Sequence, residues 1–280
     1  MALSIQSNSA ATTIRNQLNR TNDGLSVALE RLGTGFRINS AKDDAAGLQI
    51  ASRLSAQLVG QETAINNSNN AISMLQTAEG AFDEMTNIVY RMKELATQGA
   101  NGTNSADEYT ALNGEYGALA AELDNILDNT SYGSGTNLLS ATGKFGVAGG
   151  VTFQIGASGT ETLTVNISAA LTTVTTNVGA PGALDTQANS TLAIGTLDTL
   201  LKNIGTARSS LGASMNRLDH TINNLGNMTE NTGAAKSQLM DADFAKETSN
   251  MTKQQLLLNS GISVLSTANS TTQMVSQLLR

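Results

Sequence analysis

Between residues 194 and 225 the apolar side chains recur at alternating steps of three and four: Ile194, Leu197, Leu201, Ile204, Leu211, Met215, Leu218, Ile222 and Leu225, with Arg208 as the polar member of the series. A repeat of about 3.5 residues sustained over more than four heptads describes a helical seam and leaves little room for another fold. The periodicity predicts a helix over about 193 to 239, about 70 Å long at about 1.5 Å per residue. A single helix of that length cannot bury its own stripe. Composition points the same way. The 280 residues include one Pro, 5 Phe, 4 Tyr and no Trp, so the buried surface must come from Ala, Leu, Ile, Val and Met. These are the residues of helix-on-helix packing, and a proline-poor chain lets helices run on.

A partner stripe lies in the first half of the chain. Ala51, Leu54, Leu58, Ile65, Ile72, Leu75 and Phe82 share one face, continued by Met85, Val89, Met92 and Ala96, with Gln61 and Ser68 as polar interruptions. Polar residues at seam positions fix register at a cost in stability. Gly99–Ser105 reads as a turn, and Ser105 with Glu108 has the spacing of a capping box opening a shorter helix with Leu112, Tyr116, Leu119, Leu123 and Ile126 on its apolar face. The methionines at 85, 92, 215 and 228 read as core fillers.

The expected fold is mainly α: a long antiparallel coiled-coil rod, residues 48–140 plus 193–240, carrying a small insert at 141–192. In the insert, residues 151–156 and 161–167 alternate apolar and polar side chains across a Gly-containing turn, the pattern of a β-hairpin. The Thr-rich stretch after it reads as an exposed connection with a short strand near Leu171–Val178. Both chain ends carry stripes with no apolar partner close by: Ile14, Leu18, Leu25, Ala28 and Leu32 near one terminus, with Thr21 in the seam, and Leu258, Ile262, Leu265, Val275 and Leu279 near the other. Isolated helices are marginal in water. Residues 1–34 and 241–280 are therefore expected to order against each other and against neighbouring copies, and to be disordered in a monomer.

Several kinds of chemistry are excluded. There is no Cys and a single His, so thiol chemistry, Cys- or multi-His zinc sites and most nucleophilic triads are out of reach. No metal, cofactor or catalytic residue is expected. His220 sits off the apolar stripe and reads as a solvated helix residue. Asp43 and Asp44, a pair that acid/base catalysis could use, stand where a helix starts and suit capping better, with Arg37, Lys42 and Arg53 as charge partners within or between subunits. The glycines from 146 to 159 lack the spacing of a phosphate loop. A net charge of −7 with 16 scattered Lys and Arg argues against nucleic acid. No stretch reaches the roughly 18 apolar residues of a membrane span, and the N-terminus lacks the pattern of a cleaved secretory signal.

Long literal segments resemble bacterial flagellin. They are ERLGTGFRINSAKDDAAGLQIA at 30–51, RMKELATQ at 91–98, FQIGA at 153–157, LGASMNRLDHTINNL at 211–225 and the run from Asp241 to Arg280. The resemblance implies a structural, non-enzymatic subunit that polymerises helically into the extracellular flagellar filament. The ends would pair in an inner tube, 35–47 would be the spoke between tube and rod, and the large outer domain of longer members would be absent. It implies assembly through Ile14, Leu18, Leu25, Leu32, Leu258, Ile262, Leu265, Val275 and Leu279. It further implies an export apparatus, an export chaperone on the C-terminal arm, a filament cap and hook-filament junction proteins as partners, and it allows Ser and Thr of 158–191 to be either O-glycan acceptors or part of a bare soluble loop. Arg91, Leu95 and Glu115 match family positions that contact the host Toll-like receptor 5, a face that also serves subunit packing. A hook-filament junction protein, which shares paired helical ends, is the alternative reading. An embedded metalloprotease would need a central H-E-x-x-H motif, and no His lies there.

Overall fold

The computed structural model describes residues 8–133, 135–179 and 182–278. Contacts divide the chain into two units, 1–56 with 231–280, and 57–230.

In the first unit, helix α1 (Ser9–Thr34) lies antiparallel to the C-terminal helix α6 (Phe244–Leu278). The Asn8 side chain accepts the Ala11 amide and caps α1 at its start, while Gly35 ends it at φ 75°, a left-handed conformation that glycine adopts without strain. The facing positions of α1 are small: Ala11, Thr21 and Ala28 are buried. Gly261 of α6 sits against Leu18, where a β-carbon would stand 2.6 Å from a Leu18 methyl group. Beyond α1 an antiparallel bridge joins Phe36 to Asp241, with Arg37 N–H donating to Met240 O at 2.6 Å and Ala242 N–H to Gly35 O at 2.9 Å. The turn that follows is built around Asp43, whose carboxylate accepts from the amides of Asn39 and Ser40 and from the Ser40 hydroxyl. Those hydrogen bonds hold its pKa below the usual carboxylate range. Asp44 then caps helix α2 (Ala45–Gly99), its Oδ1 accepting the Gly47 amide at 2.8 Å.

The second unit is a bundle of α2, α3 (Ala106–Asn129), α4 (Ser168–Val178) and α5 (Gln187–Met240), with two small hairpins. On α2 the seam runs Gln61, Ala64, Ser68, Ala71, Leu75, Ala78, Phe82, Met85, Val89, Met92, Ala96, all buried. Every second member from 64 to 78 is alanine, which size-based sequence reading passes over in favour of Ile65 and Ile72 on the flank. On α5 the buried positions are Ser190, Ala193, Leu197, Leu200, Ile204, Ala207, Leu211, Leu218 and Leu225. Leu201 and Met215 border this seam, and Arg208 reaches out to Asp83 at 3.0 Å and Glu79 at 3.5 Å on α2. With the Lys93–Asp198 pair, these bonds place α2 and α5 antiparallel. Met228, expected in the core, is 37% exposed.

Helix α3 opens on the capping box that its sequence predicts: Ser105 Oγ accepts the Glu108 amide, and Glu108 Oε2 accepts the Ser105 amide at 2.6 Å. After α3 come the short strands β1 (Ser131–Tyr132) and β2 (Thr136–Asn137), then β3 (Val151–Gln154) paired antiparallel with β4 (Thr162–Val165) in the register Val151↔Val165, Phe153↔Leu163. Leu163 and Val165 face the core, while Thr152 and Thr164 hydrogen-bond on the other face. The hairpin tip rests on α2 at Gly60, where a β-carbon would lie 2.7 Å from that of Ala157.

The Thr-rich segment expected as an exposed connection with a strand is instead the helix α4. Leu171, Val174 and Val178 are buried, at steps of three and four. Helical burial therefore prevails over the β-preference of threonine. The hydroxyls of Thr172 and Thr176 bond back to the carbonyls of Ser168 and Thr172. Helix α5 also begins earlier than its apolar run, because the Thr186 hydroxyl accepts the Asn189 amide and caps a polar first turn.

Candidate functional site: the terminal helix pair and the Arg91 patch

Among the described residues, α1 and α6 pack chiefly on each other, so each has one covered face. Ile14, Leu18, Leu25, Leu32, Leu258 and Leu265 are half-buried along the line where the helices meet. Ile262 is not among them. It is 54% exposed and faces away from the contact line, because Gly261 occupies the inward position beside Leu18. Val275 and Leu279 lie outside the residues whose side chains are described. The outward faces carry Val27, Leu29, Leu256, Leu257, Ile262, Val264 and Met274, with Leu256 at 65% exposure. Two grooves share Leu257 and Ser260. One, of about 710 Å³, runs along α6 from Thr248 to Ser260, and the other, of about 210 Å³, lies between Ile14–Thr21 of α1 and Leu257–Val264 of α6. So much exposed apolar side chain on one pair of helices makes this surface the candidate for contact with other protein.

The second candidate surface is on the 57–230 unit. Arg91 donates through Nε (2.8 Å) and Nη2 (2.7 Å) to one carboxylate oxygen of Glu115 on α3, and through Nη1 to Glu94 at 2.7 Å. The two carboxylates raise the guanidinium pKa further. All three side chains are well exposed, so these ion pairs fix the side chains' arrangement more than they stabilise the fold. Leu95 does not join this surface. It is 1% exposed, because the turn at 92–96 turns Met92, Leu95 and Ala96 together into the core. Tyr90, next to Arg91, is exposed.

The other sequence candidates resolve as structure. Arg37 donates to the Leu239 carbonyl, and among the described residues neither Lys42 nor Arg53 forms an ion pair with Asp43 or Asp44. His220 is exposed on α5. Among the described residues no group of three His, Asp or Glu is placed to hold a metal ion, and no helix is long and apolar enough to cross a membrane.

Two family descriptions match the chain: the bacterial flagellin N-terminal helical region over residues 5–144 and the bacterial flagellin C-terminal helical region over 194–279. The chain belongs to the bacterial flagellin family. It is 34% identical to flagellin A of Vibrio cholerae over 373 residues, covering 96% of this chain and 97% of that protein. It is 41% identical to a flagellin of Halalkalibacterium halodurans over 254 residues, covering 90% and 91%. The crystal structure of Bacillus cereus flagellin aligns at a TM-score of 0.50 and 33% identity, covering 57% of this chain and 88% of that one. A putative flagellar hook-associated protein from Vibrio parahaemolyticus aligns at a TM-score of 0.57 with 14% identity, over 71% of this chain and all of that one, a likeness of fold alone. Flagellins are the structural subunits of the extracellular flagellar filament. This chain is a subunit of that polymer, with no enzymatic role. Its matched regions leave 145–193 unassigned, the stretch holding the β3–β4 hairpin and α4.

Proposed function

We propose that the outward apolar faces of α1 and α6 are the surfaces through which filament subunits join, with 1–34 and 241–280 forming the inner tube, 35–47 the spoke and 48–240 the outer wall. The observation that carries this reading is the row of exposed Leu256, Leu257, Ile262, Val264 and Met274 on α6. The contact-line residues Ile14, Leu18, Leu25, Leu32, Leu258 and Leu265 join the two helices within a subunit, and the outward row joins subunits. Burial of apolar area contributes about 25 cal/mol per Å², offset by the ordering of the ends on assembly. On this reading the hairpin and α4 face outward and take the place of a larger outer domain.

Seeded growth followed by negative-stain electron microscopy tests the reading. The full chain elongates flagellar seeds. Leu256→Asp combined with Ile262→Asp keeps its helical circular dichroism but does not elongate them, and a chain lacking 241–280 fails likewise. Filament growth by either altered chain would overturn it.

The same exposed α6 face suits an export chaperone before assembly, and the growing end suits a filament cap and the junction proteins of the hook. Arg91 and Glu115 form the exposed part of the patch proposed to meet Toll-like receptor 5, with Leu95 supporting it from the core. Arg91→Ala and Glu115→Ala are expected to lower receptor-reporter activation by the monomer, and unchanged activation would remove the patch from the reading. The junction-protein alternative finds less support, since both matched regions are bacterial flagellin regions, the curated relatives are flagellins, and the hook-associated likeness is one of fold.

A further inference from the structure

The α1/α6 pair has a degenerate seam. Its inward positions are 11, 14, 18, 21, 25, 28 and 32 on α1 and 247, 251, 254, 258, 261, 265 and 268 on α6. Both series repeat every heptad, so sliding one helix by seven residues lays the pattern back on itself. The residues that would resist sliding by shape are small: Ala11, Thr21, Ala28 and Gly261. Either slip, with Leu18 facing Gln254 or Ala268, sets a β-carbon where Gly261 leaves room, but the atom it meets is the end of a flexible Leu18 side chain that can turn aside, so apolar packing discriminates only modestly against the slipped alignments.

One polar contact is not degenerate. Arg31 Nη1 donates to Glu247 Oε1 at 3.3 Å, with the side chains 27% and 7% exposed, and Asn250 Nδ2 donates to the other Glu247 oxygen at 3.3 Å. Among the described residues it is the single ion pair joining α1 to α6. Arg31 Nε is buried without a partner. A pair that leaves a buried donor unsatisfied is poorly made for stability, yet it discriminates strongly against any alignment that separates the charges. A slip in one direction brings Glu247 to the level of Gly24, and a slip in the other carries it past the end of α1. Either leaves a buried carboxylate without its cation.

We propose that Arg31 and Glu247 are the register key of the terminal helix pair, positioning residues that select one of several near-equivalent alignments and so decide which apolar side chains face outward. The backbone bridge at Phe36 and Asp241 lies just beyond the key, in exposed chain where its hydrogen bonds compete with water.

The chain contains no Cys, so introduced pairs report alignment cleanly. Leu18→Cys is combined with Gly261→Cys for the observed register, or with Gln254→Cys or Ala268→Cys for the slipped ones. A disulfide needs β-carbons about 3.5–4.5 Å apart, so a pair displaced by seven residues does not close. The unaltered key is expected to give the 18–261 cross-link alone. Arg31→Leu with Glu247→Leu is expected to retain helicity but to yield slipped cross-links in amounts comparable with the native one. The charge swap Arg31→Glu with Glu247→Arg restores the single native product. Exclusive 18–261 cross-linking in the double-leucine variant would overturn the key and leave register to the bridge. Absence of 18–261 cross-linking with the key intact would overturn it equally. Cross-linking is read on subunits bound to flagellar seeds, where the ends are ordered, so a native cross-link in seed-bound subunits that do not elongate further counts against the assembly surface and not against the key.

Discussion

Gln61 lies in the α2/α5 seam with 1% of its surface exposed, and its amide nitrogen has no hydrogen-bond partner. Its oxygen receives one contact, from the Thr229 hydroxyl at 3.5 Å, the outer limit for a hydrogen bond. Replacing Gln61 by Leu fills nearly the same volume and removes both buried polar atoms. An unsatisfied buried donor costs about 1–3 kcal/mol. The long Thr229 contact contributes no more than about 0.5 kcal/mol, at the low end for such bonds, and the half-buried Thr229 hydroxyl can return to water. The net expectation is a gain of about 1–2 kcal/mol in the 57–230 unit. At about 2–4 °C per kcal/mol for a unit of this size, its melting temperature rises by about 2–8 °C. Scanning calorimetry, with urea titration followed by circular dichroism, measures the change. Ser68→Ala is the control. Ser68 is equally buried, but its hydroxyl is satisfied by the Ala64 carbonyl at 2.8 Å within the helix, so its removal is expected to be close to neutral. A Gln61→Leu protein no more stable than the parent would refute the idea that the orphaned amide is a liability tolerated for register.

Three further outcomes follow from local geometry. Gly60→Ala places a methyl group 2.7 Å from the Ala157 β-carbon and is expected to lift the hairpin tip from α2, costing about 1–3 kcal/mol and speeding amide exchange across β3 and β4. The Glu108 pKa is lowered from its ordinary 4.5 by hydrogen bonds from Ser105, so its stabilisation of α3 is present above about pH 4.5 and is lost as pH falls through the depressed value. Exchange of the first-turn amides of α3 should quicken over that acid range, and Glu108→Gln, which removes the titrating carboxylate, should abolish the pH step. Burial pushes the Tyr116 hydroxyl up to about 12 from 10.0, so its contribution to stability is present below pH 10 and declines as pH rises toward 12. Alkaline spectrophotometric titration should show a late tyrosine step near pH 12, and a Tyr116→Phe protein should lose it.

Much of the architecture is legible because helical seams write themselves into sequence by period. The strict repeat at 197, 204, 211, 218 and 225, the Ser105–Glu108 cap and the alternation of β3 with β4 are local patterns with few other solutions, and each stands where its pattern places it. The literal segments at both ends identify the family without reference to any contact. Side-chain size misleads where burial is decided by a neighbour. Ala64, Ala71 and Ala78 fill seam positions that Ile65 and Ile72 only border, because closely approaching helices select small residues. Leu95 goes to the core and Ile262 to the surface for a related reason: the facing helix determines which flank of a broad stripe is covered. Helix α4 was hidden by its threonines, whose strand preference yields once Leu171, Val174 and Val178 can be buried together.

From the sequence alone follow the helical class, the hairpin, the absence of thiol and histidine chemistry and the membership of the flagellin family, since these rest on periodicity, composition and literal match. Only the tertiary structure decided which face of each helix is covered, where a half-satisfied ion pair stands between α1 and α6, and how α4 closes the bundle. Burial depends on residues more than two hundred positions apart, as Arg31 and Glu247 are, and no local pattern carries that information.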